Sequence, residues 1–360
     1  MNIADQRTRD RAAARTRFIP SGLRPRVTAL LAGVLALGVA GAVAGCSAGG
    51  ASGGKGEGLA LSAATSGAAS VTASHAGAYQ AITLNSARDL TFNQLLGINN
   101  EGLIVGYFGS GNAGHPNKAY ALSAPYSQFN FAARNFPGSV QTQVTGLNDQ
   151  GISVGFFSTQ NGATPADDNN FGFWRIGGRY HEVNFPTGNN SQPPVNQLLG
   201  VNNNGTAVGF YNDAKGSAHG YSYNIGTGRF KLIRVPGATS LTAAAINNQG
   251  AVAGFYANAK GTVNAFLKFH SGRVLTLAVP GASMTQAFGV NDANEVVGAY
   301  TIGSGDNAVT HGFTWVNGKL LTVDYPGASS TVVNGVNDEG DIVGFFTDAK
   351  GNTDGFVGLP

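Results

Sequence analysis

GVNDEGDIVGFF, residues 335–346, sets small and apolar residues on both sides of a turn built on Asn337, Asp338 and Gly340. This is the pattern of a β-hairpin. Asn and Asp hydrogen-bond to their own nearby backbone, and glycine supplies positive φ without strain. The phrase is written six times. GINNEGLIVGYF stands at 97–108, GLNDQGISVGFF at 146–157, GVNNNGTAVGFY at 200–211, AINNQGAVAGFY at 245–256 and GVNDANEVVGAY at 289–300.

Successive copies are 49, 54, 45, 44 and 46 residues apart. Periods of this size belong to propeller blades or to long helical repeats. The units are rich in Gly, Asn, Val, Phe and Tyr with frequent turn signals, which selects short strands. In residues 285–328 the pattern predicts strands at 285–291, 295–301, 311–315 and 320–325. Gly102, Gly151, Gly205, Gly250 and Gly340 share one turn position. Asn294 replaces them in the fifth unit, as the residue type that best tolerates positive φ.

Two positions are the same in every unit. One is the asparagine at 99, 148, 202, 247, 291 and 337, expected to bond to a neighbouring turn or blade. The other is the glycine at 106, 155, 209, 254, 298 and 344. Mid-strand glycine costs about 0.5–1 kcal/mol, so something packs closely there, and the aromatic of the adjoining blade is the expected neighbour. The aromatic pairs that follow it, such as Phe156-Phe157 and Phe210-Tyr211, alternate across the strand, so one member of each fills the space between blades.

The sixth unit has only three strands before Pro360, while residues 79–84 read as a strand with no unit of their own. The sequence therefore predicts an all-β, six-bladed propeller of four-stranded antiparallel blades over 78–360. The N-terminal strand 79–84 pairs with 354–358 and closes the ring. An open solenoid and a seven-bladed ring are the alternatives.

Residues 1–45 carry seven arginines, Arg7 to Arg26, and then the apolar run 27–45. This describes a secretory signal or a retained membrane helix. Val43-Ala44-Gly45-Cys46 resembles a bacterial lipobox, and Cys46 is the only cysteine. The resemblance implies a diacylated (palmitate-type) Cys46 at a new N-terminus. The chain would then be exported and held to the outer face of the cytoplasmic membrane or to another envelope membrane. An ordinary anchor or a cleaved secreted form is the alternative. Residues 46–77 are mostly Gly, Ala and Ser and read as a flexible tether. The formal charge of +3 comes from the leader. Without the seven arginines and Asp5 and Asp10, 15 basic residues face 17 acidic ones, so the sequence indicates no nucleic-acid partner.

The third strand opens with a recurring tripeptide: Lys118-Ala119-Tyr120, Phe171-Gly172-Phe173, His219-Gly220-Tyr221, Asn264-Ala265-Phe266, His311-Gly312-Phe313 and Asp354-Gly355-Phe356. With the repeated Asn and Gly, it resembles the bacterial extracellular repeats named for a His-Ala-Phe tripeptide. That resemblance implies an exported repeat protein, with no catalytic residues attached to the motif.

No metal or cofactor is expected. His219 and His311 lie two blades apart and read as caps of the preceding loops. Asp213, Asp306 and Asp348 read as hairpin-turn residues, whereas calcium needs about six to eight oxygens. The irregular loops 109–117 and 158–170 and the link 186–194 break the repeat, as functional loops do. Asp167, Asp168, Trp174, Arg175 and His181 lie near them and form the candidate binding face. The favoured reading is a non-catalytic surface binding or scaffold module for an envelope glycan or protein. The alternative is a glycan-active enzyme, a lyase or hydrolase, which would need converging acids. Beyond the leader, glutamate is scarce: Glu57, Glu101, Glu182, Glu295 and Glu339.

Overall fold

The computed structural model describes residues 79–82, 92–186 and 190–359. The expected signal segment, the tether, Cys46 and part of the link 186–194 lie outside the described residues. The fold is an all-β domain of four-stranded antiparallel sheets that resemble propeller blades. Unit three is the plainest case: Asn196–Val201, Thr206–Asn212, Ala218–Asn224 and Arg229–Leu232 pair in that order. Units four and five are joined into one eight-stranded sheet by a single parallel bridge, Val263 to Met284. In unit six, Ser330–Val336, Ile342–Thr347 and Thr353–Gly358 take Tyr79–Ile82 as their fourth strand, in the register Tyr79 to Gly358 and Ile82 to Gly355.

The repeated asparagine does three things at once. Asn202 accepts from the N–H of Asn204 (3.1 Å) and of Thr206 (3.0 Å), which builds its own turn. Its Nδ2 donates across to the carbonyl of Asn247 in the next unit, at 2.9 Å. The same cross-unit bond runs Asn99 to Asn148, Asn148 to Asn202, Asn247 to Asn291, Asn291 to Asn337 and Asn337 back to Asn99. A second relay lies one residue further on. The N–H of Asn100 donates to Asp149 Oδ1, and the same bond follows through Asp149–Asn203, Asn203–Asn248, Asn248–Asp292, Asp292–Asp338 and Asp338–Asn100. Turn N–H and C=O groups that face another turn rather than water are thereby satisfied.

Glycines set the close approaches. A Cβ on Gly146 would stand 3.0 Å from the Cα of Gly200, and one on Gly335 would stand 3.2 Å from the Cα of Gly97. Large side chains at this position would force neighbouring inner strands apart. The mid-strand glycine has a different cause from the one the sequence suggested. A Cβ on Gly254 would meet the carbonyl oxygen of Thr242 at 2.1 Å, across a register shift in the same sheet. Its aromatic neighbour also belongs to its own sheet, not to the adjoining one. Gly254 pairs with Phe266, Gly298 with Phe313 and Gly344 with Phe356. The third residue of each tripeptide is thus a buried ring over a glycine, with Tyr221 and Phe173 in the same role. The middle residue is small because the next unit touches it: a Cβ on Gly220 would meet Leu241 and one on Gly355 would meet Leu95.

The second member of each aromatic pair does face a neighbouring unit. Phe157, Tyr211 and Phe346 stack at 3.8, 4.5 and 3.8 Å on Phe136, Phe185 and Tyr325, the residues before proline in the preceding links. Such stacks contribute about 0.5–1.5 kcal/mol each beyond area burial.

Replacing Gly254 with alanine is expected to destabilise the fold by roughly 3 kcal/mol or more, because the obstructing atom is backbone. Gly226 has ordinary φ and nothing nearer than 3.7 Å, so Gly226→Ala should leave the denaturation midpoint almost unchanged. Equal midpoints for the two variants in urea would refute the close-approach account.

Candidate functional site

The residues singled out in unit two do not converge on one cavity. Asp167 ends the short 3-10 turn Pro165–Asp167, and its Oδ2 accepts from the N–H and hydroxyl of Thr164, both at 2.9 Å. Asp168 is buried and accepts from Gly162 N at 2.7 Å and from Gln141 Nε2 at 2.5 Å. Burial raises its pKa, and those two hydrogen bonds oppose the rise. Both acids hold the 158–170 loop in shape. The insert 109–117 is clasped to that loop, with Asn161 Nδ2 donating to Gly111 O and Asn112 O at 3.0 Å each.

Trp174 and His181 are cross-strand partners, stacked at 4.0 Å, and Trp174 packs toward unit three. Arg175 lies 5.5 Å from the Tyr180 ring centre, and Tyr180 meets Phe136 from unit one at 5.4 Å. Strand alternation therefore sends Trp174 and Arg175 to opposite sides of the sheet. Partial burial and the nearby charge of Arg175 lower the pKa of Arg134.

The histidines are structural at short range. His219 Nε2 lies 2.9 Å from Asp213 Oδ2, and Asp213 Oδ1 accepts from the N–H of Lys215 and of Ser217, so His219 closes the hairpin loop before it, as expected. His311 departs from that expectation. Its Nδ1 reaches forward to Asp324 at 3.0 Å, beyond the fourth strand of its unit. Asp149, Asp292 and Asp338 gather at the turn end, but the second relay and neighbouring Asn amides occupy both oxygens of each. Among the described residues no group of His, Cys, Asp or Glu is arranged to hold a metal ion.

An open polar surface lies at the junction of units three and four, away from the expected face. Two cavities of about 690 and 440 Å³ share Leu232, Ile233 and Lys268, which makes them one groove. At one end it is bordered by His219, Arg234 and Ser240, and at the other by Asn204, Lys231, Gln249 and His270. The links NFPG, NFPTG and DYPG each place an aromatic in such a junction, at Phe136, Phe185 and Tyr325. The third link reads Arg234-Val235-Pro236-Gly237, and Val235 lines the groove. A valine does not reach across as a stacked ring does, and the fourth link, Ala278-Val279-Pro280-Gly281, carries the same residue. The sequence carries valine in two links, at 235 and 279, where the other three carry an aromatic.

No protein-family model and no curated protein matches this chain. Solved structures do. An ulvan lyase from a polysaccharide lyase family is 14% identical over 74% of this chain and 78% of its own, with a TM-score of 0.42. A mutant of AofleA from Arthrobotrys oligospora is 13% identical over 78% of this chain and 86% of its own, with a TM-score of 0.48. TolB from Acinetobacter baumannii is 11% identical over 70% of this chain and 63% of its own, with a TM-score of 0.47. Likeness at this level concerns the blade architecture alone.

The hydrogen bond to Asp324 raises the His311 pKa above 6.5. A raised folded-state value stabilises the fold below the unfolded pKa, and the gain is lost as pH rises through the folded value. The melting-temperature gap between the natural chain and His311→Gln should be widest near about pH 5.5 and narrow toward about pH 8. A gap independent of pH would contradict the assignment.

Proposed function

We propose that the chain is a lipid-anchored, non-catalytic binding module of the cell envelope, carried on a closed six-bladed β-propeller. The cross-unit relays that return from Asn337 to Asn99 and from Asp338 to Asn100 support the closed ring, as does Tyr79–Ile82 as the last sheet's fourth strand. Membership of the His-Ala-Phe-type extracellular repeats is part of the same proposal. Its support is that the middle and third tripeptide positions have distinct packing roles.

One observation carries the binding reading. Seven aspartates are committed to the scaffold while an open polar groove is not. Asp149, Asp292 and Asp338 serve the turn relay, Asp213 and Asp348 build hairpin turns, and Asp167 and Asp168 fasten a loop. A lyase or hydrolase would need acids free to act together on a bond. The face around Trp174, Arg175 and His181 is a secondary contact surface in this proposal. Replacing Asp167 and Asp168 would disturb the loop, so it would report on folding as well as on binding.

Cys46 carries the anchor. Cys46→Ser should abolish incorporation of labelled palmitate and move the chain from the membrane fraction to the soluble one. A serine variant that still acquires the label would rule out lipidation at this residue.

The binding reading is tested by thermal shift of the full chain against isolated envelope polysaccharides, with the chain length of each polysaccharide followed. A ligand that binds only the folded state at a hundred times its Kd adds about 2.7 kcal/mol of stability. A saturable rise with the polysaccharide intact is expected. Shortened polysaccharide would replace the module with an enzyme.

A further inference from the structure

We infer that the groove between units three and four binds an extended anionic polysaccharide, one bearing carboxylate or sulfate groups along its length. The inference rests on the reading of the chain as a binding module and adds the site and the ligand class.

Charge is the first argument. Lys231, Arg234 and Lys268 line the groove, with His270 at its turn end and Arg273 beside it. Among the described residues none of the three lining cations is ion-paired; Lys268 Nζ reaches only the carbonyl of Gly272, at 3.4 Å. No carboxylate lines either cavity, and nearby Asp213 is already bonded to His219. Beyond the leader the chain has fewer basic than acidic residues, so cations without counter-charges along one cleft oppose its overall balance. Such a cleft concentrates anions.

The neutral lining narrows the class. Asn204, Thr206, Ser222, Asn248, Gln249, Thr239 and Ser240 border the same two cavities. Amides and hydroxyls both donate and accept, which suits the hydroxyls of a sugar chain. A single-stranded nucleic acid would call for stacking platforms. Phe269 is the only aromatic of Phe, Tyr or Trp type in the lining, and Arg273 already sits 4.2 Å over its ring. The groove reaches from the turn end of the two units to the link end, so it suits a linear polymer better than a small anion.

The test uses the full chain in non-ionic detergent. The probes are polygalacturonate oligosaccharides, dextran sulfate oligosaccharides, neutral dextran and single-stranded DNA. Polygalacturonate or dextran sulfate should bind and weaken as salt rises, because exposed charge interactions are screened beyond about 8 Å at physiological ionic strength. Neutral dextran and DNA should bind at least roughly tenfold more weakly. The triple variant Lys231→Glu, Arg234→Glu, Lys268→Glu should lose roughly tenfold or more in affinity, since several charges act together. Val235→Phe should cause a similar loss, because it gives this junction the aromatic that three other links carry. Val235 is itself buried, so a modest fall in melting temperature from overpacking is expected beside that loss. The two anionic probes separate carboxylate from sulfate recognition.

Binding of an anionic probe that both variants leave unchanged would overturn the groove assignment while leaving the module reading in place. Preference for neutral dextran would overturn the anionic class in the same way. Preference for DNA would overturn the ligand class and the envelope role together. If no probe binds and the envelope polysaccharides also give no shift, both readings fail.

Discussion

The side-chain amide of the repeated asparagine is the interaction on which this architecture depends. It faces two ways. The oxygen accepts two N–H groups of its own turn, and the nitrogen donates to the carbonyl of the next turn. Aspartate would lack the donor, and glutamine would hold the amide too far from its own turn. One residue type thereby closes each hairpin and sets its distance to the next. Burying six such side chains is tolerable only because their hydrogen-bonding groups are used, since an unmet buried polar group costs about 1–3 kcal/mol.

The packing follows from that spacing. Inner strands brought this close leave no room for a Cβ at Gly146 and Gly200 and little at Gly335. The shift of register beside them pushes a carbonyl toward the second strand, and only glycine fits at 106, 155, 209, 254, 298 and 344. Each of those glycines then exposes backbone to the third strand, where a Phe or Tyr covers it. Between units, rings before the link prolines fill three junctions, while Val235 and Val279 stand in the other two links. The groove lies at one of the two valine links, and it gathers cations that the scaffold does not use.

Much of the fold was legible because each unit repeats the same physical problem. The strand positions in unit five, the positive φ at Gly250 and Asn294, and the pairing of 79–82 with the last strand all follow from patterns in the chain. What the period could not give was the neighbour of each repeated residue. The glycine looked like a contact between sheets, but its partner is the opposite strand of its own sheet. The second relay was also hidden, because Asn and Asp alternate at that position and both supply the needed Oδ1. The candidate face was placed by loop length. Length alone did not show that Asp167 and Asp168 fasten that loop to itself. The groove has no signal of its own in the repeat, because its link valine, Val235, recurs as Val279 in the next link.

The central claim is that the six turns share one cooperative hydrogen-bonded circuit. Native-state hydrogen exchange at the N–H groups of Leu103, Ile152, Thr206, Ala251, Glu295 and Asp341 tests it most directly, because each donates to the repeated asparagine of its unit. A closed circuit predicts that all six exchange only through global unfolding, with one shared opening free energy. Protection that is highest at Thr206 and Ala251 and falls off toward Leu103 and Asp341 would describe an open array with fraying ends, and would contradict the account.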